Sequence, residues 1–401
     1  MATKNNDKTL NVPHLRFPEF TGEWKKVRLG DNCNIQMCKR IMAAQTNTEN
    51  GVPFYKIGTI GGKADAYISK ELFDEYKTKY SFPRKGEVMI TCAGTVGKCI
   101  IYNGEDSYYQ DSNIVWIDNP NEILSNDFLY HLLCKVNWSH LNSTTIVRIY
   151  NDDLRNLKLY YPRHNEQKKI THFLQLINER IATQNKIIEK YESLIQAMCD
   201  TLIESEQHKV ELSFSDFGES YSGLSGKSAE DFGEGCPYIT YMNVNQNQII
   251  DTTNVGLVKI NEAEQQSVVR YGDILFTLSS ETPEEVGMGA VYLGKTYPLY
   301  LNSFCFGVHI IDESKIFPPF LAYYISTQSF RKAVYPLAQG STRFNLQKSD
   351  FMKKVFPFPI AERQNKIYSV LKTYSDKLSA EKSIAKLFCE QKNYLLRQLF
   401  I

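Results

Sequence analysis

The sequence has no excess of charge of either sign and no long apolar run. Its 401 residues carry 46 Lys and Arg against 45 Asp and Glu, a formal net charge of +1. No overall basic field therefore favours nucleic acid, although a local basic face is compatible with this balance. No stretch of about 18 apolar residues is present, which excludes a transmembrane helix. The first residues, MATKNNDKTL, are polar and do not resemble a signal peptide, so we expect a cytoplasmic protein.

The cysteines do not form any recognisable framework. There are nine of them, an odd number, and they are scattered along the chain. None lies in a Cys-x-x-Cys pair, and none has a histidine at the spacing of a zinc site. Reduced thiols are therefore favoured over a disulfide scaffold, and no metal site is expected.

Signatures of catalysis are also missing. The segment from Cys92 to Cys99 lacks the first glycine and the final Ser or Thr of a phosphate-binding loop, so a turn between two strands explains its glycines. Asn119-Pro120 is followed by Asn-Glu, whereas an amino-methyltransferase needs a second proline and an aromatic residue there. No nucleophile–base pair can be recognised. We expect a non-catalytic chain with no cofactor of its own.

The chain contains a long internal repeat. Upstream, GEVMIT from Gly86 resembles GDILFT from Gly272. Further along, identical residues recur at an offset of 197, in the pairs Pro162 and Pro359, Gln167 and Gln364, Lys169 and Lys366, Ile170 and Ile367, and Leu174 and Leu371. A chain of this length exceeds what one hydrophobic core usually organises. We therefore expect two related globular domains, each followed by the better-preserved segment.

The segment after each repeated proline has the periodicity of a long helix. Its apolar residues alternate at spacings of four and three, which is the seam of a coiled coil. The first seam is Ile170, Leu174, Ile177, Ile181, Gln184, Ile188 and Tyr191, and the second is Ile367, Leu371, Tyr374, Leu378 and Glu381. The polar Gln184 and Glu381 share one register; either they fix the alignment of the helices or they are tolerated at an exposed seam edge. Two such helices in one chain can bury each other.

The two remaining blocks are rich in short strands. Runs of β-branched and aromatic residues between turn residues predict strands at 88–91, 99–102, 114–117, 274–278, 290–293 and 304–311. Helices are predicted near 127–136 and 319–332. The fold class is α+β, with an N-terminal extension at 1–20, globular domains at 21–161 and 206–358, and helical segments at 162–205 and 359–401.

Several short motifs in this order resemble one family. They are Pro13-His14-Leu15-Arg16-Phe17-Pro18-Glu19-Phe20 with Gly22-Glu23-Trp24, then Gly94-Thr95-Val96-Gly97, Gly340-Ser341-Thr342-Arg343, and the pairs Glu166-Gln167 and Arg363-Gln364 before the helices. Each motif alone is weak, but their order and duplication are specific. Over nearly its whole length, the chain resembles the specificity subunit of type I restriction–modification systems.

That resemblance implies both a fold and a function. The fold would be two target-recognition domains separated by two long helices that form an antiparallel coiled coil, with pseudo-twofold symmetry. Each domain would read one half of a bipartite DNA target, and the helices would set the spacer between the halves. The chain would dock two methyltransferase subunits and two restriction/translocase subunits. S-adenosylmethionine, magnesium and ATP would belong to those partners and not to this chain.

The resemblance is less complete in two places. The second half lacks the Pro-x-Leu-Arg-Phe motif and begins near Lys209-Val210-Glu211-Leu212. In the first half, Thr144-Thr145 and Ile146-Val147-Arg148 depart from the Gly-Ser-Thr-Arg form at 340–343. The resemblance to the family's loop motif is therefore firmer in the second half than in the first.

Candidate DNA contacts lie in loops ahead of a helical turn. They are Thr144, Thr145 and Arg148 in the first half and Ser341, Thr342, Arg343 and Asn345 in the second. Hydroxyls, backbone amides and an arginine in one loop suit contacts to phosphates and base edges. The alternative is a helix N-cap with a surface arginine.

Weaker candidates lie elsewhere in the chain. Lys98 follows a Gly-Thr-Val-Gly turn, where it either reaches a phosphate or is simply solvated. Small basic patches occur at Lys39, Arg40, Lys77 and Lys79. Tyr108, Tyr109 and Tyr241 are assigned equally to the core and to a groove.

Two other functions remain open at this point. The chain is alternatively a pseudo-symmetric adaptor that pairs two protein partners through its helices and binds no DNA. A more remote alternative is a metal-dependent restriction enzyme whose active site cannot be recognised from sequence.

Overall fold

The computed structural model describes residues 11–138 and 148–401, which form two compact units. Unit 1 comprises Met1–Gln184 together with Ile384–Ile401, and unit 2 comprises Asn185–Ser383. Both units combine helices with mainly antiparallel sheets, as the α+β prediction requires. Within the described ranges, no helix has the length and apolar character needed to cross a membrane.

Unit 1 contains most of the first repeat. Its elements are β1 (Lys25–Arg28), α1 (Leu29–Asn32), β2 (Asn34–Gln36), β3 (Val52–Tyr55), β4 (Tyr67–Ile68), α2 (Lys70–Lys79), β5 (Val88–Thr91), β6 (Cys99–Ile101), β7 (Tyr108–Tyr109), β8 (Ile114–Asp118), α3 (Asn126–Lys135), α4 (Asn151–Asn156), β9 (Lys158–Tyr161) and α5 (His164–Glu204). The last of these, α5, continues past residue 184 into unit 2.

Unit 2 repeats the same plan with additions. Its elements are β10 (Lys209–Ser213), β11 (Gly218–Ser222), β12 (Phe232–Ile239), α6 (Tyr241–Gln246), β13 (Gly256–Val258), β14 (Ile274–Thr277), β15 (Ser279–Ser280), β16 (Gly289–Val291), β17 (Tyr300–Leu301), β18 (Cys305–Ile310), α7 (Pro318–Tyr324), α8 (Gln328–Val334), β19 (Ala338–Gln339), β20 (Phe344–Leu346), α9 (Lys348–Lys353), β21 (Val355–Pro359) and α10 (Ala361–Gln398). The final helix, α10, returns to unit 1 at Ile384.

The sheets have the same strand order in both units. The four-stranded sheet is ordered β2–β8–β5–β6 in unit 1 and β11–β18–β14–β16 in unit 2. A three-stranded sheet follows the same rule, as β4–β3–β7 and β13–β12–β17. The pairs β1–β9 and β10–β21 complete the correspondence, and unit 2 adds the sheet β15–β20–β19. The sequence repeat is therefore also a repeat of topology.

The repeated hexapeptides supply one of the two central strands of each four-stranded sheet. All four residues of β5 and all four of β14 are buried. Burial on both faces explains why these strands are continuous apolar runs and do not alternate with polar residues. They lie between antiparallel neighbours; Ile274, for example, pairs with Val308 on one side and Val291 on the other.

One predicted helical stretch is interrupted. The segment at 319–332 forms two helices, α7 and α8, and not one. The break lies at Thr327, whose buried hydroxyl accepts a hydrogen bond of 3.3 Å from the backbone N–H of Phe330. This side chain caps a new helix start, because it satisfies one of the N–H groups that the first turn of a helix leaves unpaired.

The two long helices run antiparallel within each unit. In unit 1, Ile170 and Leu174 of α5 share a core with Leu395 and Leu399 of α10. In unit 2, the later residues Cys199 and Ile203 of α5 share a core with the early residues Ile367 and Leu371 of α10. The seam residues named above are all buried or half-buried. The supercoil of a coiled coil stays a prediction.

Polar and aromatic contacts also indicate that α5 and α10 run antiparallel within each unit. The guanidinium of Arg180 lies 4.6 Å from the ring centre of Phe388 in unit 1. In unit 2, Lys382 forms an ion pair of 2.7 Å with Glu192. Gln184, at the polar seam register, is buried, with 8% of its surface exposed. The interpretation as an exposed seam edge is therefore wrong for Gln184.

A repeated glutamine fastens each long helix to its globular part. Gln167 is buried at the start of α5, and its Nε2 donates to the carbonyl oxygens of Ile123 (2.9 Å) and Pro162 (3.0 Å). Its Oε1 accepts from the backbone N–H of Ser125 at 2.8 Å. Ser125 in turn caps α3, so one side chain connects the starts of two helices.

Unit 2 contains the same arrangement around Gln364, which is fully buried. Its Nε2 donates to the carbonyl oxygens of Lys315 (3.0 Å) and Pro359 (2.7 Å), and its Oε1 accepts from the N–H of Phe317 at 2.8 Å. Phe317 is the residue that precedes α7. The identity of the two glutamines in the sequence repeat is thus explained by an identical structural role.

We expect Gln167→Ala to destabilise unit 1 by about 1–3 kcal/mol, because it removes three hydrogen bonds and leaves the buried carbonyl group of Pro162 without this partner. Trp24, Trp116 and Trp138 are the three tryptophans of the chain, and all lie in unit 1. Urea unfolding followed by tryptophan fluorescence therefore measures this unit. The exposed neighbour Lys168→Ala is the control, and equal unfolding midpoints for the two variants would contradict the role of Gln167 in fastening the helix.

Unit 1 also buries an ionisable ring. His131 on α3 is 6% exposed, and its ring centre lies 6.2 Å from that of Phe400. Burial, with a smaller contribution from the charge of Lys392, lowers the pKa of His131 to about 4. The neutral form is therefore the one that the fold accommodates.

This burial predicts a loss of stability in mild acid. An unfolded histidine has a pKa of about 6.5, so the contribution of the neutral His131 is complete above that pH and is lost as the pH falls towards 4. Between pH 7.5 and 5 we expect it to cost unit 1 on the order of 2 kcal/mol. Urea unfolding of His131→Gln should show a correspondingly weaker pH dependence than the parent chain; His172→Gln, an exposed histidine, is the control.

Candidate nucleic-acid interface

The loop at 340–343 forms the turn of a hairpin between β19 and β20. Gly340 has a φ of +130°, and a Cβ atom there would lie 2.2 Å from the carbonyl oxygen of Arg343. Only glycine fits both the backbone angle and this close approach. Ser341, Thr342 and Arg343 are consequently exposed at the tip. Asn345 lies in β20, opposite Ser279 of β15 and Gln339 of β19.

Arg343 is held without a carboxylate partner. Its Nη2 donates to the hydroxyl of Ser279 at 3.2 Å, and its guanidinium lies 5.2 Å from the ring centre of Phe304. Across residues 11–138 and 148–401, no carboxylate lies within ion-pair distance of it. Because a guanidinium has five N–H donors, most of them are available to an external acceptor such as a phosphate or a guanine edge.

A cleft of about 820 Å³ lies beside this arginine. The ring of Tyr241 lines it, and its hydroxyl donates to the carbonyl oxygen of Ser279 at 2.7 Å. Two carboxylates also line the cleft: Glu281 is exposed, whereas Glu285 accepts a hydrogen bond of 3.1 Å from Ser280. The cleft combines one cation, aromatic rings, an amide and two acids.

The corresponding loop of unit 1 is described only in part. Thr144 and Thr145 lie outside the described residues. Arg148 is half-buried; its Nη2 lies 3.4 Å from the carbonyl oxygen of Ser112, and its guanidinium is 6.0 Å from the ring centre of Tyr150. It lines a cleft of about 360 Å³.

The Gly94–Gly97 motif is a turn between β5 and β6, as predicted. A Cβ atom at Gly97 would lie 2.1 Å from the ring of Trp138, and the φ of this glycine is +83°. The motif is therefore explained by packing. Lys98 is exposed, and its Nζ donates to the carbonyl oxygen of Ile60 at 2.5 Å.

The patch at Lys39 and Arg40 is partly neutralised. Arg40 forms an ion pair of 2.9 Å with Asp111. The Nζ of Lys39 lies 5.3 Å from the ring centre of Tyr80, at the end of α2. Of the two cations, only Arg40 would have to exchange a carboxylate for a phosphate.

The second patch lies on α2 and is neutralised more fully. Lys77 pairs with Asp106 at 3.1 Å, and Lys79 pairs with Glu75 at 2.8 Å. Hydrogen bonds from Lys70 and Lys77 lower the pKa of Asp106, and the bond to Glu75 raises the pKa of Lys79. Such exposed pairs are weak, so a phosphate can replace the carboxylates.

The three tyrosines separate into core and groove. Tyr108 and Tyr109 are buried, whereas Tyr241 is half-buried and lines the cleft of unit 2. Sequence reasoning missed Asn245, Ser279 and Phe304 of this cleft. They come from three distant segments, and no local pattern distinguishes them.

The motif near the N-terminus has a structural role. Arg16 donates two hydrogen bonds of 2.7 Å to the buried carboxylate of Glu166, which also accepts from the indole N–H of Trp24 at 3.2 Å. At the corresponding position of the repeat, Arg363 lies 3.6 Å from Glu206. In the first half the long helix carries the acid, Glu166, and in the second half it carries the base, Arg363. The ion pair thus occupies corresponding positions with its charges exchanged.

The described residues contain no group of three side chains that could hold a metal ion. All nine cysteines lie within the described ranges and are free thiols. Burial raises the pKa of Cys33 and of Cys199 to about 12. These two thiols are therefore protonated at neutral pH and are poor nucleophiles.

Comparison with known families gives a match over both halves. The family model described as the type I restriction modification DNA specificity domain matches residues 21–193 and 211–387. The two matches correspond to the two repeats.

Individual relatives agree with this match. A putative type I restriction enzyme specificity subunit of Haemophilus influenzae is 41% identical over 208 residues, which cover 51% of this chain and 48% of that one. This chain therefore spans about half the length of that relative. The specificity subunit of the MjaVIII type I restriction enzyme of Methanocaldococcus jannaschii is 23% identical over 386 residues, covering 90% and 87% of the two chains.

Solved structures share the fold. The S subunit of a type I restriction–modification system from M. genitalium matches with a TM-score of 0.52 and 17% identity, covering 97% of this chain and 99% of that one. A chain from a structural study of complex assembly and conformational transition in the type I system matches with a TM-score of 0.59 and 16% identity, covering 95% and 98%.

Proposed function

Because the chain belongs to the type I restriction–modification DNA specificity family, we propose that it selects a bipartite DNA target for a type I complex. As a specificity subunit it recognises DNA and is not itself a catalyst. The observation that most directly supports a bipartite target is the duplication of one topology within a single chain. Two related units that differ in their loops can read two different half-sites, as repeated DNA-binding modules do.

The helix pair supports a role in spacing. Each unit fixes the start of one long helix by a buried glutamine with three hydrogen bonds. Both helices are continuous over 41 and 38 residues, and a helix is stiffer than a flexible linker of the same length. We propose that this pair sets the spacer between the half-sites.

The partners in this proposal are two methyltransferase subunits and two restriction/translocase subunits. S-adenosylmethionine, magnesium and ATP would be bound by those subunits. The absence of a recognisable catalytic motif in this sequence is in keeping with such a division of labour.

The proposed DNA contacts in unit 2 are those of the exposed hairpin, where Arg343 has donors available. In unit 1 they are Thr144, Thr145 and Arg148. Lys39, Arg40, Lys77, Lys79 and Lys98 are secondary candidates, since most of them must first give up an internal partner.

We expect deletion of the gene to remove adenine methylation from one split DNA motif. The measurement is a genome-wide adenine methylation map of the host with and without the gene. Restoring the gene should restore the motif, which controls for secondary mutations. An unchanged map in a host that expresses the methyltransferase would contradict the proposal and favour the protein-adaptor alternative.

We expect Arg343→Ala to weaken DNA binding by the complex of this chain with its methyltransferase. If Arg343 contacts a phosphate, affinity falls for all sequences and the slope of log affinity against log salt decreases by about 1; if it contacts a base, target DNA loses about 5- to 100-fold and other DNA loses little. Binding titrations at several salt concentrations distinguish these outcomes. Lys332→Ala, on the exposed side of α8, is the control, and unchanged affinity at every salt would contradict the contact.

A further inference from the structure

The cleft beside Arg343 contains an amide that the fold itself does not use. Asn245 lies on α6, three residues after Met242, so both side chains are on one face of this helix and both line the cleft. The amide oxygen of Asn245 is buried and accepts no hydrogen bond from any residue in the described part of the chain.

An unpaired buried amide oxygen is costly. Removing such a group from water without a partner destabilises a fold, and most buried polar atoms in proteins are paired. A leucine has nearly the same shape and would avoid that cost. The side chain is half-buried, and its terminal torsion has two roughly equivalent orientations, so either polar atom can turn towards a ligand in the cleft. A polar residue at this position, despite its cost, points to a ligand.

The surroundings favour a base edge over a phosphate. Met242 and Phe304 are 50% and 52% exposed, and apolar surface next to hydrogen-bonding groups suits a base with a methyl group. The carboxylates of Glu281 and Glu285 line the same cleft and would repel a phosphate. Asn pairs with the N6 and N7 edge of adenine, and apolar side chains contact the methyl group of thymine.

We propose that this cleft reads an adenine–thymine pair in the half-site of unit 2, and that Asn245 is its specificity-determining residue. Arg343, which lines the same cleft, fixes the DNA beside it. This inference rests on the proposed function, since it names the residue that reads one position of the target.

The test is a methylation map of the host in which the gene carries Asn245→Leu, Asn245→Asp or Gln246→Leu. In Asn245→Leu we expect one adenine–thymine position of one half-site to lose its preference by about 10-fold, while the other half-site and the spacer stay the same. Asn245→Asp should shift the preference at that position towards cytosine, because a carboxylate accepts from the cytosine amino group. Gln246→Leu, on the same helix but outside the cleft, should leave the motif unchanged.

The outcomes separate this inference from the proposed function. If the parent chain gives no split motif, the proposed function itself is wrong. If the parent gives a split motif and Asn245→Leu leaves it intact, Asn245 does not read the base. The same conclusion holds if Asn245→Leu alters one half-site and Arg343→Ala, mapped in the same way, alters only the other. If both Asn245 variants abolish methylation and also lower the thermal unfolding midpoint of the purified chain, the role is structural. Retained midpoints with an altered position support the inference.

Discussion

Both units depend on a buried amide at the start of a long helix. Gln167 and Gln364 each use three hydrogen bonds to tie the helix to the chain just before a globular helix, α3 or α7. A glutamine suits this place because its amide is donor and acceptor at once and carries no charge to desolvate. The neighbouring ion pair is less constrained: its charges are exchanged between the halves. The amide is the tether that the two repeats share.

Features encoded by local periodicity could be predicted from the sequence. The seam of α5 and α10, the central strands β5 and β14, and the turn at Gly94–Gly97 all follow from spacing or from residue type. The helix α2 was not predicted because KELFDEYKTK is mostly polar and buries only Phe73. The break between α7 and α8 was missed because it rests on one capping hydroxyl, that of Thr327.

The candidate site was predictable only where a motif marked it. The Gly-Ser-Thr-Arg loop identified Arg343, but Asn245, Ser279 and Phe304 reach the same cleft from a helix, a strand and a turn. The basic patches show the opposite case. Their charges were visible in the sequence, but their partners, Asp106 and Asp111, are brought to them by the fold. Membership of the family could be inferred because it rests on the order and duplication of motifs. Both can be read directly from the sequence and do not depend on tertiary contacts.

The division of the chain into units has a consequence for biosynthesis. Unit 2 is one continuous segment, Asn185–Ser383, whereas unit 1 needs Ile384–Ile401 to complete its core. Leu395, Leu399 and Phe400 pack with Trp24 and Phe128, and the N–H of Leu15 bonds to the carbonyl oxygen of Gln398. On the ribosome, unit 1 therefore cannot complete its core until residues 384–401 have been made, whereas unit 2 needs no later segment. Until then, the part of unit 1 made first leaves exposed the apolar side chains that Leu395, Leu399 and Phe400 later cover, and such surface favours aggregation or chaperone binding during synthesis.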